Sequence, residues 1–247
     1  MAGADILFFD VDGTLFDYGA GVNQRLIELH RRFQLRLSSP RQADFLDAYW
    51  RITDRMDRGY LLHGPLDQAQ TGASPESRFT ELCQTLSIKD NSLPAEMAQA
   101  YRTEPLAGRL FDGVAPALAM LRRRWRLGII TDGPENPQRT RLSQAQIEQM
   151  FDPIVASPSA GAAKPDPRLF QAALDRAGVP AARAVMIGNH PLLDLVSPAK
   201  LGMSTVLFTG GRRLATISRF APFIHRMAHS WDVLPKEIAE LATSNRR

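Results

Sequence analysis

The chain has 247 residues, enough for one large domain or for a core domain with a smaller companion. With 44% hydrophobic and 23% charged residues, its composition is globular, which excludes a disordered, collagen-like or disulfide-stapled chain. The 30 Lys and Arg exceed the 26 Asp and Glu by a net charge of +4. This small excess favours anionic ligands but lacks the clustering that nucleic-acid binding requires.

Cysteine content and the N-terminus indicate the compartment. Cys83 is the single cysteine of the sequence, so no intrachain disulfide can form and a reducing compartment is favoured. We interpret Cys83 as an apolar helix residue rather than a nucleophile. The first residues, MAGADILFF, have no basic segment, and no stretch approaches the ~18 apolar residues of a membrane span. We therefore expect a cytoplasmic protein with no membrane partner.

Four continuous apolar runs predict buried strands, and helical patterns lie between them. The runs cover residues 6–9, 127–130, 184–187 and 205–208. Runs of this length are typical of a parallel sheet that is covered on both faces. The helical patterns cover residues 115–125, 137–150, 166–177 and 192–201. Alternating strands and helices predict an α/β fold with a doubly wound parallel sheet.

Residues 18–106 interrupt this alternation. They show no buried strand, and four amphipathic helical patterns cover residues 23–33, 40–58, 74–86 and 94–102. We interpret this segment as a helical domain inserted after the first strand. Residues 1–17 and 107–247 are then assigned to the α/β core.

Two acidic residues follow the first predicted strand. Asp10 and Asp12 lie two positions apart, and carboxylates placed together at the end of a buried strand repel each other. Ligands of doubly wound sheets bind beyond the carboxyl ends of the strands. A solvated turn would explain Asp12 with Gly13, but it explains Asp10 poorly. A divalent cation would offset the repulsion, and oxygen ligands suit Mg²⁺.

Four short motifs follow one another along the chain. DVDGTL begins at Asp10, and LGIIT ends at Thr131. Lys164 lies in AAKPDPRLF, and MIGNHPLLD ends at Asp194. In this order the motifs resemble the signatures of the haloacid dehalogenase-like (HAD) hydrolase superfamily. The resemblance implies a Rossmann-like core with a small α-helical cap at residues 18–106, in the phosphatase and nucleotidase branch.

The resemblance also assigns roles to the motif residues. It implies that Asp10 is the nucleophile and forms an aspartyl-phosphate. Asp12 would protonate the leaving alcohol and then activate the hydrolytic water. Thr131 and the backbone N–H groups of Asp132 and Gly133 would bind the phosphoryl oxygens.

The resemblance also implies a Mg²⁺ cofactor, held by Asp10, Asp12, Asn189 and Asp194. Asp12 would bind the ion through its backbone carbonyl. Lys164 would pair with Asp10 and with the phosphate. The fourth motif departs from the family pattern at Asn189, because an Asp usually follows the glycine there. Asn keeps an oxygen ligand but removes one negative charge, so we expect weaker metal binding.

Asp12 favours one activity of the superfamily over the others. Halide displacement requires no protonated leaving group, so an acid two residues after the nucleophile favours a phosphatase over a dehalogenase. We expect a small phosphomonoester substrate, a nucleoside monophosphate or a sugar phosphate, and a monomer or homodimer. The alternative, suggested by Asn189, is a catalytically weak member that binds a phosphometabolite or a protein partner. Nucleic-acid binding ranks third, because no basic stripe with interleaved aromatics is present.

Some polar residues outside these roles have two interpretations. Arg51, Arg55 and Arg58 recur at helical spacing beside acids, and a solvated, salt-bridged face is favoured over a second anion site. His190 follows Asn189, and we interpret it as a solvated or hydrogen-bonding loop residue rather than a member of the site.

Overall fold

The computed structural model describes residues 5–37, 41–63, 74–103, 108–211 and 217–244. The chain divides into two compact units, Met1–Tyr18 with Arg109–Arg247, and Gly19–Gly108. These bounds lie close to those of the predicted core and insertion. The role of the second unit as a cap stays a prediction. No helix in the described ranges is long and apolar enough to cross a membrane.

The first unit is built on a six-stranded sheet with the order β3-β2-β1-β4-β5-β6, and every strand pair in it is parallel. The strands are β1 Ile6–Phe9, β2 Arg126–Thr131, β3 Ile154–Ala156, β4 Ala184–Gly188, β5 Ser204–Phe208 and β6 Arg226–Ala228. The four predicted strands and the α/β class are confirmed. The unpredicted strands, β3 and β6, have three residues each, too few to give a sequence pattern.

Ten α-helices lie in the described ranges. They are α1 Tyr18–Arg32, α2 Gln42–His63, α3 Pro75–Thr85, α4 Leu93–Thr103, α5 Val114–Leu121, α6 Glu135–Gln144, α7 Ser157–Ala160, α8 Pro167–Ala177, α9 Ser197–Leu201 and α10 Leu234–Ser244. The predicted helix over residues 137–150 is too long, because Gln146 adopts φ 59° and ends the run. The segment predicted as helix 192–201 is instead a π-helical turn, Pro191–Val196, followed by α9.

Two apolar clusters cover the two faces of the sheet. Leu7 and Phe9 of β1 belong to one cluster, and Ile6 and Phe8 belong to the other. Successive side chains of a strand point to opposite faces, so β1 is buried on both sides, and all four residues are fully buried. This burial is the physical reason for the continuous apolar run in the sequence.

The second unit is helical in its described part. Tyr49, Phe79 and Tyr101 pack with ring centroids 5.7–6.4 Å apart, which gives this unit an aromatic core. Cys83 of α3 is buried, and burial raises the pKa of its thiol to about 11. The thiol therefore stays protonated at neutral pH, which supports a packing role over a nucleophilic one.

Arg51 and Arg55 lie on an exposed face of α2. Arg51 is exposed, and Arg55 forms an ion pair with Glu81. Both observations favour the salt-bridged surface over an anion site. The side chain of Arg58 lies outside the described residues.

Candidate active site

A lysine lies between two buried carboxylates at the carboxyl edge of the sheet. Asp10 follows β1, Asp194 lies in the π-helical turn after β4, and Lys164 precedes α8. The Lys164 Nζ atom donates to Asp10 Oδ1 at 2.6 Å and to Asp194 Oδ1 at 2.8 Å. The three residues are only 8%, 2% and 7% exposed in the order Asp10, Asp194, Lys164. Three of the predicted site residues are thus in direct contact.

This trio is electrostatically strained. Burial raises the pKa of Asp10 to about 7, and the charge of Asp194 adds to the rise while the Lys164 ammonium opposes it. Burial by itself would lower the pKa of Lys164, but the charges of Asp10 and Asp194 outweigh it and hold that pKa above its ordinary value. One ammonium therefore compensates two carboxylates only in part. A further cation at this position would be favourable.

Thr14 holds the second oxygen of Asp10. Its hydroxyl donates to Asp10 Oδ2 at 3.1 Å, and its carbonyl oxygen accepts from the indole N–H of Trp231 at 2.9 Å. Thr14 is fully buried and is not among the site residues predicted from the sequence. Its position inside the DVDGTL motif was the available signal. Thr14 orients the carboxylate that is predicted to be the nucleophile.

The Asn189 side chain lies against Gly13. Two observations explain the glycine at position 13. Its backbone has φ 85°, which side chains disfavour, and a Cβ atom there would come within 2.3 Å of Asn189 Nδ2. Asn189 Oδ1 is 3.5 Å from the Thr14 hydroxyl. Asn189 therefore lies beside the Asp10–Thr14 pair, where a metal ligand is predicted.

The loop after β4 is closed by its own hydrogen bonds. The His190 backbone N–H donates to Asp194 Oδ2 at 2.8 Å, and its ring Nδ1 accepts from the Leu193 N–H at 3.2 Å. His190 is thus a hydrogen-bonding loop residue, as interpreted. The loop orients Asp194 toward Lys164.

The donor chemistry of the site fits Mg²⁺. No group of three or more His, Cys, Asp and Glu side chains in the described residues could hold a metal by itself. The predicted set consists instead of the Asp10 and Asp194 carboxylates, the Asn189 amide and the Asp12 backbone carbonyl, which are all hard oxygen donors. The partly compensated charge of the two carboxylates also favours a cation. These four residues would hold the ion.

The predicted phosphate-binding residues lie at the end of β2 and in the loop before α8, and a hydrogen bond connects these two segments. Thr131 ends β2 and is 2% exposed, and its hydroxyl accepts from the Gly133 N–H at 3.2 Å. Asp132 Oδ1 accepts from the backbone N–H of Lys164 at 2.9 Å. The structure therefore brings Thr131, Asp132, Gly133 and Lys164 to one edge of the sheet, and phosphate binding there stays a prediction.

The Asp12 side chain is held by two residues of α6. Asp12 Oδ1 accepts from Arg141 Nη1 at 2.7 Å, and Asp12 Oδ2 accepts from Gln138 Nε2 at 3.0 Å. Neither Gln138 nor Arg141 is predicted from the sequence. The signal that could have found them is their spacing, because residues three apart share one face of a helix. Gln138, a polar residue, is only 4% exposed on that face.

The sequence matches the haloacid dehalogenase-like hydrolase family over residues 4–202. The chain therefore belongs to this family, in agreement with its parallel sheet and its four motifs.

Individual relatives carry several phosphatase names. The chain is 28% identical to the glyceraldehyde 3-phosphate phosphatase of Pyrococcus abyssi, over 84% of this chain and 82% of that protein. It is also 28% identical to the pyrimidine 5'-nucleotidase YjjG of Escherichia coli, over 81% of this chain and 84% of that protein. The structure matches the magnesium-bound HAD hydrolase YfnB of Bacillus subtilis with a TM-score of 0.80 at 21% identity, covering 96% and 99% of the two chains. This last similarity establishes the fold.

Proposed function

We propose that this protein is a magnesium-dependent phosphatase that hydrolyses a small phosphomonoester through an aspartyl-phosphate on Asp10. The observation that carries the proposal is the buried contact of Lys164 with both Asp10, which follows β1, and Asp194, which follows β4. The names of the relatives, which include a triose phosphate phosphatase and a nucleotidase, support a sugar phosphate or a nucleoside monophosphate as substrate.

In the proposed reaction Asp10 forms the covalent intermediate and Asp12 transfers the protons. A carboxylate oxygen of Asp10 attacks phosphorus, the bond from phosphorus to the ester oxygen breaks, and Asp12 gives its proton to the leaving alcohol. Water then attacks the aspartyl-phosphate and gives a proton to Asp12. The bond between phosphorus and Asp10 breaks, and inorganic phosphate is released.

The other site residues stabilise charge. The Lys164 ammonium, adjacent to Asp10, would compensate the negative phosphoryl oxygens, and the Thr131 hydroxyl would donate to one of them. Mg²⁺, when bound, supplies further charge neutralisation on the phosphoryl group. Asp10, Asp194, Asn189 and the Asp12 carbonyl would hold it.

The second unit, Gly19–Gly108, is the proposed cap. A cap that excludes bulk water and bulky substrates would restrict the enzyme to small-molecule phosphate esters. We propose a cytoplasmic location, which the single cysteine of the chain supports, and a monomer or homodimer.

Phosphate release from a panel of small esters tests this function. The purified protein is incubated with nucleoside monophosphates and sugar phosphates, with Mg²⁺ or with EDTA. We expect at least one ester to be hydrolysed with Mg²⁺ and a large loss of that activity with EDTA. Absence of phosphate release from every ester, or equal rates with EDTA, would contradict the proposal.

The alternative function, a catalytically weak binding protein, rests on Asn189 and is tested by Asn189→Asp. We expect the added carboxylate to tighten Mg²⁺ binding by roughly tenfold, or about 1.4 kcal/mol, because it restores one negative charge. Binding is measured by calorimetry and by the Mg²⁺-induced shift in Tm, with Asn91→Asp as a control that adds the same charge at an exposed site.

Turnover of the same variants separates the two functions. If Asn189 is an adequate ligand, kcat at saturating Mg²⁺ stays close to that of the parent protein. A large rise in kcat for Asn189→Asp, absent from Asn91→Asp, would favour the weak binding protein instead.

A further inference from the structure

The strongest feature outside the assigned roles is the pair Gln138 and Arg141 on α6. Each donates to a different oxygen of Asp12, at 3.0 Å from Gln138 Nε2 and at 2.7 Å from Arg141 Nη1. With two donors on two oxygens, the plane of the carboxylate has little rotational freedom. The pair therefore determines where the Asp12 side chain points.

The pair is itself held in place. The Arg141 guanidinium lies 4.4 Å from the centroid of the Phe16 ring, a cation–π contact, and its side chain is only 12% exposed. Arg141 Nη1 also donates to Gln138 Oε1 at 3.1 Å. A guanidinium has no acceptor, so the Gln138 oxygen must face Arg141 and the amide N–H₂ must face Asp12. Arg141 thus sets the orientation of Gln138 as well as that of Asp12.

The pair also connects Asp12 to the predicted phosphate-binding hydroxyl. Gln138 Nε2 lies 3.4 Å from Thr131 Oγ1, close enough to donate to it as well as to Asp12. A Cβ atom at Gly133 would come within 2.2 Å of the same Nε2 atom. Glycine at this position is therefore what lets the Gln138 amide reach between Thr131 and Asp12.

We propose that Arg141 and Gln138 are positioning residues that orient the Asp12 carboxylate for proton transfer with the leaving alcohol. The inference rests on the proposed function, because the direction of Asp12 affects the rate only if Asp12 exchanges a proton with the substrate. Arg141 and Gln138 both donate to Asp12, whereas the covalent chemistry is proposed for Asp10. Their effect passes through Asp12, which gives the inference a specific kinetic signature.

The test is the dependence of kcat/KM on the leaving group in Arg141→Met. The substrates are p-nitrophenyl phosphate, phenyl phosphate and an alkyl phosphate, whose leaving groups need increasing assistance from an acid. This parameter reports formation of the aspartyl-phosphate, the step in which the alcohol leaves. We expect a loss of about 10- to 100-fold for the alkyl ester and less than about threefold for p-nitrophenyl phosphate. Asp12→Asn should show the same pattern with a larger amplitude.

Two further variants make the test specific. In the Asp12→Asn background, Arg141→Met should add no further dependence on the leaving group, because two residues that act as a unit are not additive. Arg139→Met is the matched control on the same helix, since Arg139 pairs with Glu135 and Glu148 instead of Asp12. It should leave all three rates unchanged.

The outcomes are separable from a failure of the proposed function. If the parent protein releases phosphate but Arg141→Met loses the same factor on all three esters, the role of Arg141 is structural and the inference is overturned. If the parent protein hydrolyses no ester, the proposed function itself fails. Should Arg141→Met not fold, as judged by circular dichroism, Arg141→Lys keeps the charge and loses the planar fork. It should then show the same leaving-group dependence at smaller amplitude.

Discussion

Asp10→Asn is expected to lower the rate of phosphate release by roughly 10³- to 10⁶-fold, a loss typical of removing a catalytic nucleophile. An amide cannot accept the phosphoryl group, yet it has nearly the shape of the carboxylate. Its oxygen can still accept from Lys164 Nζ, and its N–H₂ can donate to the Thr14 hydroxyl. The fold should therefore persist, and the loss should appear in kcat for the best ester of the panel.

The same variant is expected to be more stable than the parent protein at alkaline pH without divalent metal. Burial raises the pKa of Asp10 to about 7 in the folded state, against an ordinary value of 3.8. The folded protein thus binds the Asp10 proton more tightly than the unfolded chain does. The parent protein loses stability as pH rises from about 4 to about 7, and an asparagine removes this loss.

The measurement is Tm as a function of pH in EDTA. The Tm of Asp10→Asn should exceed that of the parent protein at about pH 8, and the difference should shrink toward about pH 4. Asp112→Asn, which removes a charge that is 96% exposed, should show no such trend. A Tm difference independent of pH, or an Asp10→Asn protein with parental activity, would contradict the assignment of Asp10.

Lys164→Met is expected to destabilise the protein by about 3–5 kcal/mol near neutral pH, because it leaves two buried carboxylates without their shared ammonium. Lys164 is 7% exposed and contacts both Asp10 and Asp194. Methionine fills a similar volume, so loss of packing contributes little to the effect. The rate of phosphate release should also fall, since the same ammonium is predicted to bind the phosphate.

Urea unfolding at about pH 7.5 and about pH 5 checks this prediction. The destabilisation should be smaller at the lower pH, because burial raises the pKa of Asp10 and protonation of Asp10 removes part of the repulsion between the two carboxylates. Lys236→Met is the control, because Lys236 is exposed and its ion pair with Glu240 is long, at 3.9 Å. This substitution should change the free energy of unfolding by less than about 0.5 kcal/mol. Equal stability of the Lys164→Met and Lys236→Met proteins would show that the buried ammonium does not stabilise the site.

The central strands could be predicted because a strand that is buried on both faces consists of consecutive apolar residues, and such a run is visible in the sequence. β1 is covered on both faces, so each of its residues is apolar. The strand β6, Arg226–Ala228, lies at the edge of the sheet, contains an arginine and is too short for any periodicity. The helix predicted over residues 137–150 was too long, because Gln146 adopts a positive φ. The helix predicted over residues 192–201 has nearly the right bounds, but its first part, Pro191–Val196, is a π-helix.

The motif residues were found for a similar reason. Asp10 and Thr131 come directly after apolar strands, and the parallel sheet brings such strand ends to one edge. Lys164 was found through its motif, although 154 positions separate it from Asp10. The sequence by itself therefore determined the fold class and the family resemblance, and it predicted the motif residues of the candidate site. It did not indicate Thr14, Gln138 or Arg141, which contact those residues in the structure.

Only the tertiary structure decided how those residues are paired. Lys164 bridges Asp10 and Asp194, and Arg141 reaches Asp12 across 129 positions of chain. The direction of a side chain depends on hydrogen-bond partners supplied by other elements, whereas the motif describes only its neighbours along the chain. A polar glutamine or arginine on α6 resembles any surface residue until folding buries it beside a carboxylate.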